Sequence, residues 1–124
     1  MKLKKWMLVV CSVLASMILV ACQSSTDSSQ SAVDAIKQKG KLVVATSPDY
    51  APFEFQSLVD GKNQVVGADI DMAQAIADEL GVNLEISSMS FDNVLTSLQT
   101  GKADLAIAGI SATDERKEVF DFSI

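Results

Sequence analysis

Leu42-Val43-Val44-Ala45 is the stretch that decides the fold, because it is short, apolar and unbroken. Such a run is typical of a strand buried on both faces of a parallel sheet. A similar run from Leu105 to Ile110 predicts another buried strand, and the alternating apolar residues of the segment 82–86 predict a third. Strands of this kind need helices on both sides to cover them.

Two amphipathic segments between these strands supply such helices. The first is predicted over Ile70–Leu80, with Asp69 as its N-cap and Gly81 as its end, because its apolar residues fall at positions 70, 73, 77 and 80. The second begins at Phe91 and is closed by Gly101. Strands that alternate with helices of this length predict an α/β fold, with a parallel sheet covered by helices on both faces.

The remaining segments predict shorter elements. Two prolines exclude regular structure from Ser47–Pro52. Phe53–Val59 and Asn63–Val66 flank Asp60-Gly61-Lys62, which is a hairpin signal. Ser111-Ala-Thr113-Asp114 opens a short helix with acidic residues first.

The N-terminus is typical of an export signal. A basic start is followed by an apolar run over Trp6–Ala21 and then by Cys22. The alternative is a membrane-spanning helix, but the run has 16 residues, whereas a span needs ~20. Val20-Ala21-Cys22 resembles the lipobox of bacterial lipoproteins, which implies a signal peptide over 1–21 and a Cys22 that carries acyl chains such as palmitate. The implied location is the extracellular face of the cell membrane, held by the lipid anchor.

Residues 22–33 then combine the lipidated cysteine with a Ser-rich tether, and the folded domain is expected over 34–124. Ser31 can cap a short helix over Ala32–Lys39. Phe120–Ile124 looks like a strand with no turn after it, so we expect the domain to be incomplete in this chain.

The composition excludes several classes of function. The chain has 124 residues, 16 acidic against 10 basic and a formal net charge of -6, which argues against a nucleic-acid partner. It contains no histidine, which excludes hydrolases with Ser-His or Cys-His pairs and zinc sites with histidine ligands. Asp69 and Asp71 resemble a metal pair, but capping and helix position explain them better, so neither a metal nor another cofactor is expected.

A ligand site is expected beyond the carboxyl ends of the parallel strands. Three loops meet there, namely Thr46–Tyr50, Ser87–Phe91 and Ala108–Ser111, and the last is followed by a helix that holds Arg116, the single arginine of the chain. An arginine fork and a helix N-terminus favour a carboxylate, and two aromatic rings favour a side chain of moderate size. These groups together suit a free α-amino acid.

Each of these residues also has a structural explanation. Arg116 could be one more charge on a solvated helix, and Phe91 could belong to the core. Tyr50 could pack against its own turn, and Ser111 could serve as a helix cap. The argument for a site rests on the convergence of these residues at one edge of one sheet.

Four segments together resemble the polar amino-acid substrate-binding proteins of ABC importers, a family that includes the glutamine- and histidine-binding proteins. The resemblance covers about residues 34–124 and is most specific near its end. The segments are Lys41-Leu-Val-Val-Ala-Thr46, Asp49-Tyr50-Ala-Pro-Phe53-Glu54-Phe55, Gly67-Ala-Asp69-Ile-Asp71 and Gly109-Ile-Ser111-Ala-Thr113-Asp114-Glu115-Arg116.

The resemblance implies the first lobe of a type II periplasmic-binding-protein fold, with the chain ending before the second lobe. It implies that Arg116 and the backbone N–H of Ser111 hold the ligand carboxylate, and that the Gly109 carbonyl and the Ser111 hydroxyl accept from the ammonium group. Tyr50 and Phe91 would sandwich the side chain above Ala108. Many family members carry an acid where Ser47 stands, and Asp49 is the residue that could replace it.

The function that the resemblance implies is capture of a free polar amino acid and its delivery to the permease subunits of an ABC importer, without catalysis. An enzyme of dehydratase type on the same scaffold and the sensory domain of a receptor are the alternatives. Because an open half-site leaves its charges hydrated, we expect this chain alone to bind amino acids poorly.

Overall fold

The computed structural model describes residues 28–123. The predicted signal peptide and Cys22 lie outside the described residues. Among those residues the helices and strands are α1 (Ser28–Lys39), β1 (Lys41–Thr46), β2 (Asp49–Tyr50), β3 (Glu54–Val59), β4 (Lys62–Val66), α2 (Ala68–Leu80), β5 (Asn83–Ser88), α3 (Phe91–Gln99), β6 (Leu105–Ala106) and α4 (Asp114–Lys117).

The central element is β1, which lies between β5 and β6 in a parallel sheet. Its pairing with β5 runs from Lys41 opposite Asn83 to Thr46 opposite Ser88, and β6 joins on the other side with Val44 opposite Leu105. Every residue from 42 to 46 is buried, as expected for a strand with neighbours on both sides and helices on both faces.

Alternate residues of β1 contribute to two hydrophobic clusters, one on each face of the sheet. Val43 and Ala45 pack with Val94 of α3, whereas the other face holds Leu42 and Val44 with the small residues of α2. The predicted parallel sheet with helices on both faces is therefore confirmed. None of the described helices is long and apolar enough to cross a membrane.

An antiparallel sheet in the order β2-β3-β4 leads the chain from β1 to α2. The predicted hairpin between β3 and β4 is confirmed, and Asp60 and Gly61 take positive φ angles of 51° and 75°, as a type I′ turn requires. The expectation that Ser47–Pro52 has no regular structure is wrong. Asp49 and Tyr50 form β2 against β3, because the two prolines flank this pair of residues instead of interrupting it.

The start of α2 differs from the prediction. Its N-cap is Gly67 and not Asp69, and no side chain caps the helix. The N–H groups of Ala68 and Asp69 donate instead to the carbonyls of Pro52 and Phe53, at 3.2 and 2.9 Å. Backbone carbonyls of the segment between β2 and β3 therefore accept hydrogen bonds from the first N–H groups of the helix, which makes a side-chain cap unnecessary.

Three other boundaries also differ. The first helix begins at Ser28, four residues before the predicted start, so part of the expected tether is helical. The predicted strand over Leu105–Ile110 is wrong beyond Ala106, because Gly109 takes a φ of 58° and turns the chain away from the sheet. The strand expected from Phe120 onward is absent from the described residues.

Candidate functional site

A pocket of about 410 Å³ lies at the carboxyl edge of the parallel sheet. It is formed by β2, the starts of β3 and α3, and the loop after β6, as expected for an α/β sheet whose strands point toward one edge. Four of the six predicted ligand-binding residues are in its wall. The lining residues are Asp49, Tyr50, Glu54, Phe91, Ala108 and Gly109.

The two aromatic rings keep much of their surface in water. Tyr50 is 54% exposed and Phe91 is 40% exposed, so Phe91 is not the core residue that its helix position allowed. The Tyr50 ring lies 5.3 Å from the Phe53 ring, between centroids. It also lies over Gly109, where a Cβ atom would come within 3.2 Å of it. Tyr50 therefore packs against its own turn and still faces the pocket.

Arg116 and Ser111 are in contact with each other but are not part of the pocket lining. The guanidinium Nη1 donates to the Ser111 carbonyl oxygen at 3.0 Å. The cap of α4 is Thr113, whose hydroxyl accepts from the Arg116 N–H, so the structure does not use Ser111 as the cap. Ser111 follows the lining residue Gly109 by two positions in the sequence.

Arg116 has no carboxylate within ion-pair distance among residues 32–123, whereas its neighbour Lys117 lies 3.8 Å from Asp114. The guanidinium is therefore fixed to a backbone carbonyl rather than neutralised by the acidic residues of its own helix. A fixed guanidinium with further N–H groups to donate is suited to an anionic ligand.

Asp49 and Glu54 make one wall of the pocket acidic. The hydroxyl of Ser47, which is 3% exposed, donates to Asp49 Oδ1 at 3.2 Å. Ser47, at the position where the family resemblance led us to expect an acid, therefore positions the neighbouring acid. This arrangement is consistent with Asp49 replacing that acid.

Glu54 is the site residue that the sequence did not reveal. Its side chain is 1% exposed, and its Oε2 atom has no hydrogen-bond partner among the described residues. Burial raises the pKa of Glu54 to about 7, with further contributions from a hydrogen bond to Asp69 and from the charges of Asp69 and Asp49. The neutral acid and the carboxylate are therefore both populated near neutral pH.

A pH-dependent stability follows from this raised pKa. Because the folded protein raises it from 4.5 to about 7, the fold favours protonated Glu54. The associated stabilisation is complete below pH 4.5 and is lost as the pH rises through 7, by up to about 3 kcal/mol. We expect Glu54→Gln to remove this part of the pH dependence, as measured by urea unfolding between pH 5 and 8. Equal slopes for the two proteins would contradict the assignment.

Within the described residues, no group of three potential ligands is arranged to hold a metal ion. Asp69 is hydrogen-bonded to the buried Glu54 side chain, and its N–H donates to the Phe53 carbonyl, so its partners are protein groups. The groups at the site that can act on a ligand are two rings, two carboxyls, a guanidinium and exposed backbone.

The comparison with family models identifies residues 42–124 as matching the bacterial extracellular solute-binding proteins, family 3. The chain is 37% identical over 121 residues to the arginine-binding extracellular protein ArtP of Bacillus subtilis, which covers 98% of this chain and 44% of ArtP. It is also 36% identical over 111 residues to the cyclohexadienyl dehydratase of Pseudomonas aeruginosa, which covers 90% of this chain and 40% of that enzyme.

Solved structures give the same result. An amino acid ABC transporter substrate-binding protein from Streptococcus pneumoniae, crystallised with L-arginine, is 96% identical and has a TM-score of 0.74, covering 75% of this chain and 39% of that one. The arginine-bound form of domain 1 from TmArgBP is 45% identical with a TM-score of 0.68, covering 73% of this chain and 70% of that one.

These neighbours confirm the predicted fold class, because the described residues correspond to domain 1 of a type II periplasmic binding protein. The chain spans less than half the length of ArtP and of the Streptococcus protein. Since the family model covers residues 42–124, the chain belongs to the bacterial extracellular solute-binding proteins of family 3.

Proposed function

We propose that this chain is the first lobe of a lipid-anchored, extracellular binding protein that captures arginine or a similar cationic amino acid for an ABC importer. The observation that carries the proposal is the composition of the pocket, in which two half-exposed rings, Tyr50 and Phe91, stand beside two carboxyls, Asp49 and Glu54. The names of the relatives support it, because ArtP is an arginine-binding protein.

The ligand's α-carboxylate binds at Arg116, whose guanidinium is already oriented by the Ser111 carbonyl. The Ser111 N–H assists, and the Gly109 carbonyl and Ser111 hydroxyl accept from the ammonium group. This places the common part of every amino acid at the end of the pocket nearest α4. Charge-assisted hydrogen bonds of this type contribute roughly 1.5–3 kcal/mol each.

The side chain of the ligand extends into the pocket between the rings of Tyr50 and Phe91, above Ala108. A guanidinium stacks well on an aromatic face, and the acidic wall then meets its N–H groups. Asp49 is the nearer match to the acid that the family often carries, because Ser47 holds it by a hydrogen bond. Glu54 supplies the second carboxyl from the same wall.

Capture is completed when a second lobe closes over the first. Closure removes water from the ion pairs, which strengthens them, and shifts the population toward the shape that a permease recognises. The first lobe alone keeps part of this affinity, since domain 1 of TmArgBP was crystallised with arginine. We expect binding by this chain to be weaker than binding by a two-lobed relative such as ArtP.

Calorimetry with arginine and citrulline tests the preference for a cationic side chain, because the citrulline side chain has nearly the same shape and carries no charge. We expect arginine to bind at least about tenfold more tightly, which corresponds to one charge-assisted contact of ~1.4 kcal/mol. Asp49→Asn should reduce this ratio, whereas Asp92→Asn on the exposed start of α3 serves as the matched control. Equal affinities for the two ligands would refute the proposal.

The lipid anchor rests on the sequence around Cys22. We expect Cys22→Ala to prevent incorporation of radiolabelled palmitate and to release the protein into the medium or leave an unprocessed precursor. Cys11→Ala is the control, because Cys11 lies inside the proposed signal peptide. Palmitate labelling that persists in the Cys22→Ala variant would rule out this site of lipidation.

A dehydratase-type enzyme is the second candidate function. Two observations favour it, namely the 36% identity to a cyclohexadienyl dehydratase and a carboxyl with a pKa of about 7 in the pocket, which is suited to proton transfer. Incubation with arginine and with a cyclohexadienyl carboxylic acid, followed by chromatography, separates the two. Recovery of both compounds unchanged supports binding without catalysis.

A further inference from the structure

Glu54, which belongs to the acidic wall of the pocket, interacts with the carboxyl of Asp69. The Asp69 N–H donates to the carbonyl of Phe53 at 2.9 Å, and Phe53 is the residue directly before Glu54. This bond holds the start of α2 against the start of β3. A hydrogen bond also links the Asp69 carboxyl to the Glu54 side chain. A hydrogen bond between two carboxyls requires a proton on one of them.

The Oε2 atom of Glu54 is left without a partner among the described residues. Oε2 is buried and has no partner among residues 32–123, although Glu54 lines the pocket. A buried carboxylate oxygen without a donor is costly, and a proton on the group removes the charge. The empty pocket therefore favours neutral Glu54, and a donor that entered the pocket would reverse this preference.

We propose that Glu54 holds a proton in the empty pocket and releases it to solvent when the cationic side chain of the ligand takes its place. This inference rests on the proposed function, since it concerns the same pocket and the same ligand class. The exchange balances in charge, because one proton leaves and one cation enters. The guanidinium keeps its own protons, since it does not titrate in proteins. The ligand N–H groups then donate to the Glu54 carboxylate, which lines the pocket.

The charged groups that act on Glu54 all favour this exchange. Asp69 acts from α2 and Asp49 from β2, and both are acids. With Glu54 ionised, three carboxylates would lie close together, which like-charge repulsion disfavours until a cation is present. The chain has no histidine, so no imidazole can produce the same pH dependence.

The exchange predicts that protons compete with cationic ligands. Around a pKa of about 7, arginine affinity should fall about tenfold from pH 8 to pH 6. The affinity for citrulline, whose side chain is uncharged, should not fall in this way. The difference between arginine and citrulline affinities should therefore narrow as the solution becomes more acidic.

Calorimetry of the whole chain with arginine at pH 7, in phosphate and in Tris, measures the released protons directly. These buffers take up protons with very different heats, so the heat of binding should depend on the buffer. We expect about half a proton to be released at pH 7, almost none with Glu54→Gln, and less with Asp69→Asn. Buffer-independent heat with wild-type protein and arginine would overturn the inference while leaving the proposed function intact.

A second measurement does not depend on how well the variants fold. Carbon-13 NMR of the glutamate side-chain carboxyls follows Glu54 in the wild-type chain, which has five glutamates at 54, 79, 85, 115 and 118. One carboxyl should titrate near pH 7 in free protein and shift to lower pH with arginine. If no glutamate carboxyl titrates near pH 7 in the free protein, the inference is overturned. If calorimetry detects no binding of arginine, the proposed function is overturned as well.

Discussion

Arg116→Ala should lower the affinity for arginine by about tenfold. The variant removes the charge-assisted hydrogen bonds to the ligand carboxylate, which in an open lobe contribute about 1.4 kcal/mol in total. The guanidinium is free to make these bonds because its structural contact is a backbone carbonyl, that of Ser111, and not an acidic side chain. Calorimetry of the purified chain with arginine gives the affinity directly.

Lys117→Ala is the matched control for this variant. Lys117 is the next residue on α4, is also cationic, and has an acidic neighbour 3.8 Å away in Asp114. Exposed pairs of this kind contribute little, so the control should bind arginine as the wild type does. If both variants bound arginine equally well, Arg116 would be the solvated helix charge that the sequence also allowed, and the carboxylate role would be wrong.

Gly67→Ala should lower the free energy of unfolding by about 3 kcal/mol or more. A Cβ atom at this position would lie 2.2 Å from the Phe53 carbonyl oxygen and 2.9 Å from that of Pro52. Both are backbone atoms, which cannot rotate away as a side chain can. The φ angle of 132° adds strain for any residue with a Cβ atom. Relief of the clash would separate α2 from β3, and Glu54 would move with β3.

Gly61→Ala separates the steric effect from the backbone strain. Gly61 also has a positive φ, of 75°, but a Cβ atom there would meet nothing within 4 Å. This control should lose about 1 kcal/mol, the usual cost of a left-handed conformation for alanine. Urea unfolding of the two variants gives the comparison. Equal destabilisation of the two variants would mean that a Cβ atom at position 67 does not clash with the Phe53 carbonyl.

The core of the fold could be predicted from hydrophobic patterns and turn residues that are local in the sequence. An apolar run such as Leu42–Ala45 can be covered only by neighbouring strands and by helices on both faces, and Asp60-Gly61 suits a type I′ turn. Both features depend on residues that are close in the sequence. The predicted sheet, the helices on its two faces and the hairpin were therefore correct without knowledge of long-range contacts.

The differences arise where distant segments meet. The N-cap at Gly67 depends on the carbonyls of residues 52 and 53, which are fourteen or more positions away in the sequence. The end of β6 depends on how Gly109 turns beneath the Tyr50 ring. Local rules cannot supply such contacts, because they follow from the packing of elements that are far apart in the sequence.

The site was predictable in part for the same reason. Tyr50, Phe91, Ala108 and Gly109 follow or precede strands at a known edge, so topology places them together. Glu54 begins a strand of mixed polarity, pairs with Tyr50 across the antiparallel sheet and is hydrogen-bonded to Asp69. The signal that we missed is a group of three acids, Asp49, Glu54 and Asp69. Asp69 is distant in the sequence from the other two, and the three come close together only in the folded structure.

A crystal structure of this chain with arginine tests the central proposal most directly. We expect the ligand carboxylate on the Arg116 guanidinium, the aliphatic stem between the rings of Tyr50 and Phe91, and the ligand guanidinium within hydrogen-bond distance of Asp49 or Glu54. Arginine bound away from these residues, or in the reverse orientation with its carboxylate toward the acidic wall, would contradict the account.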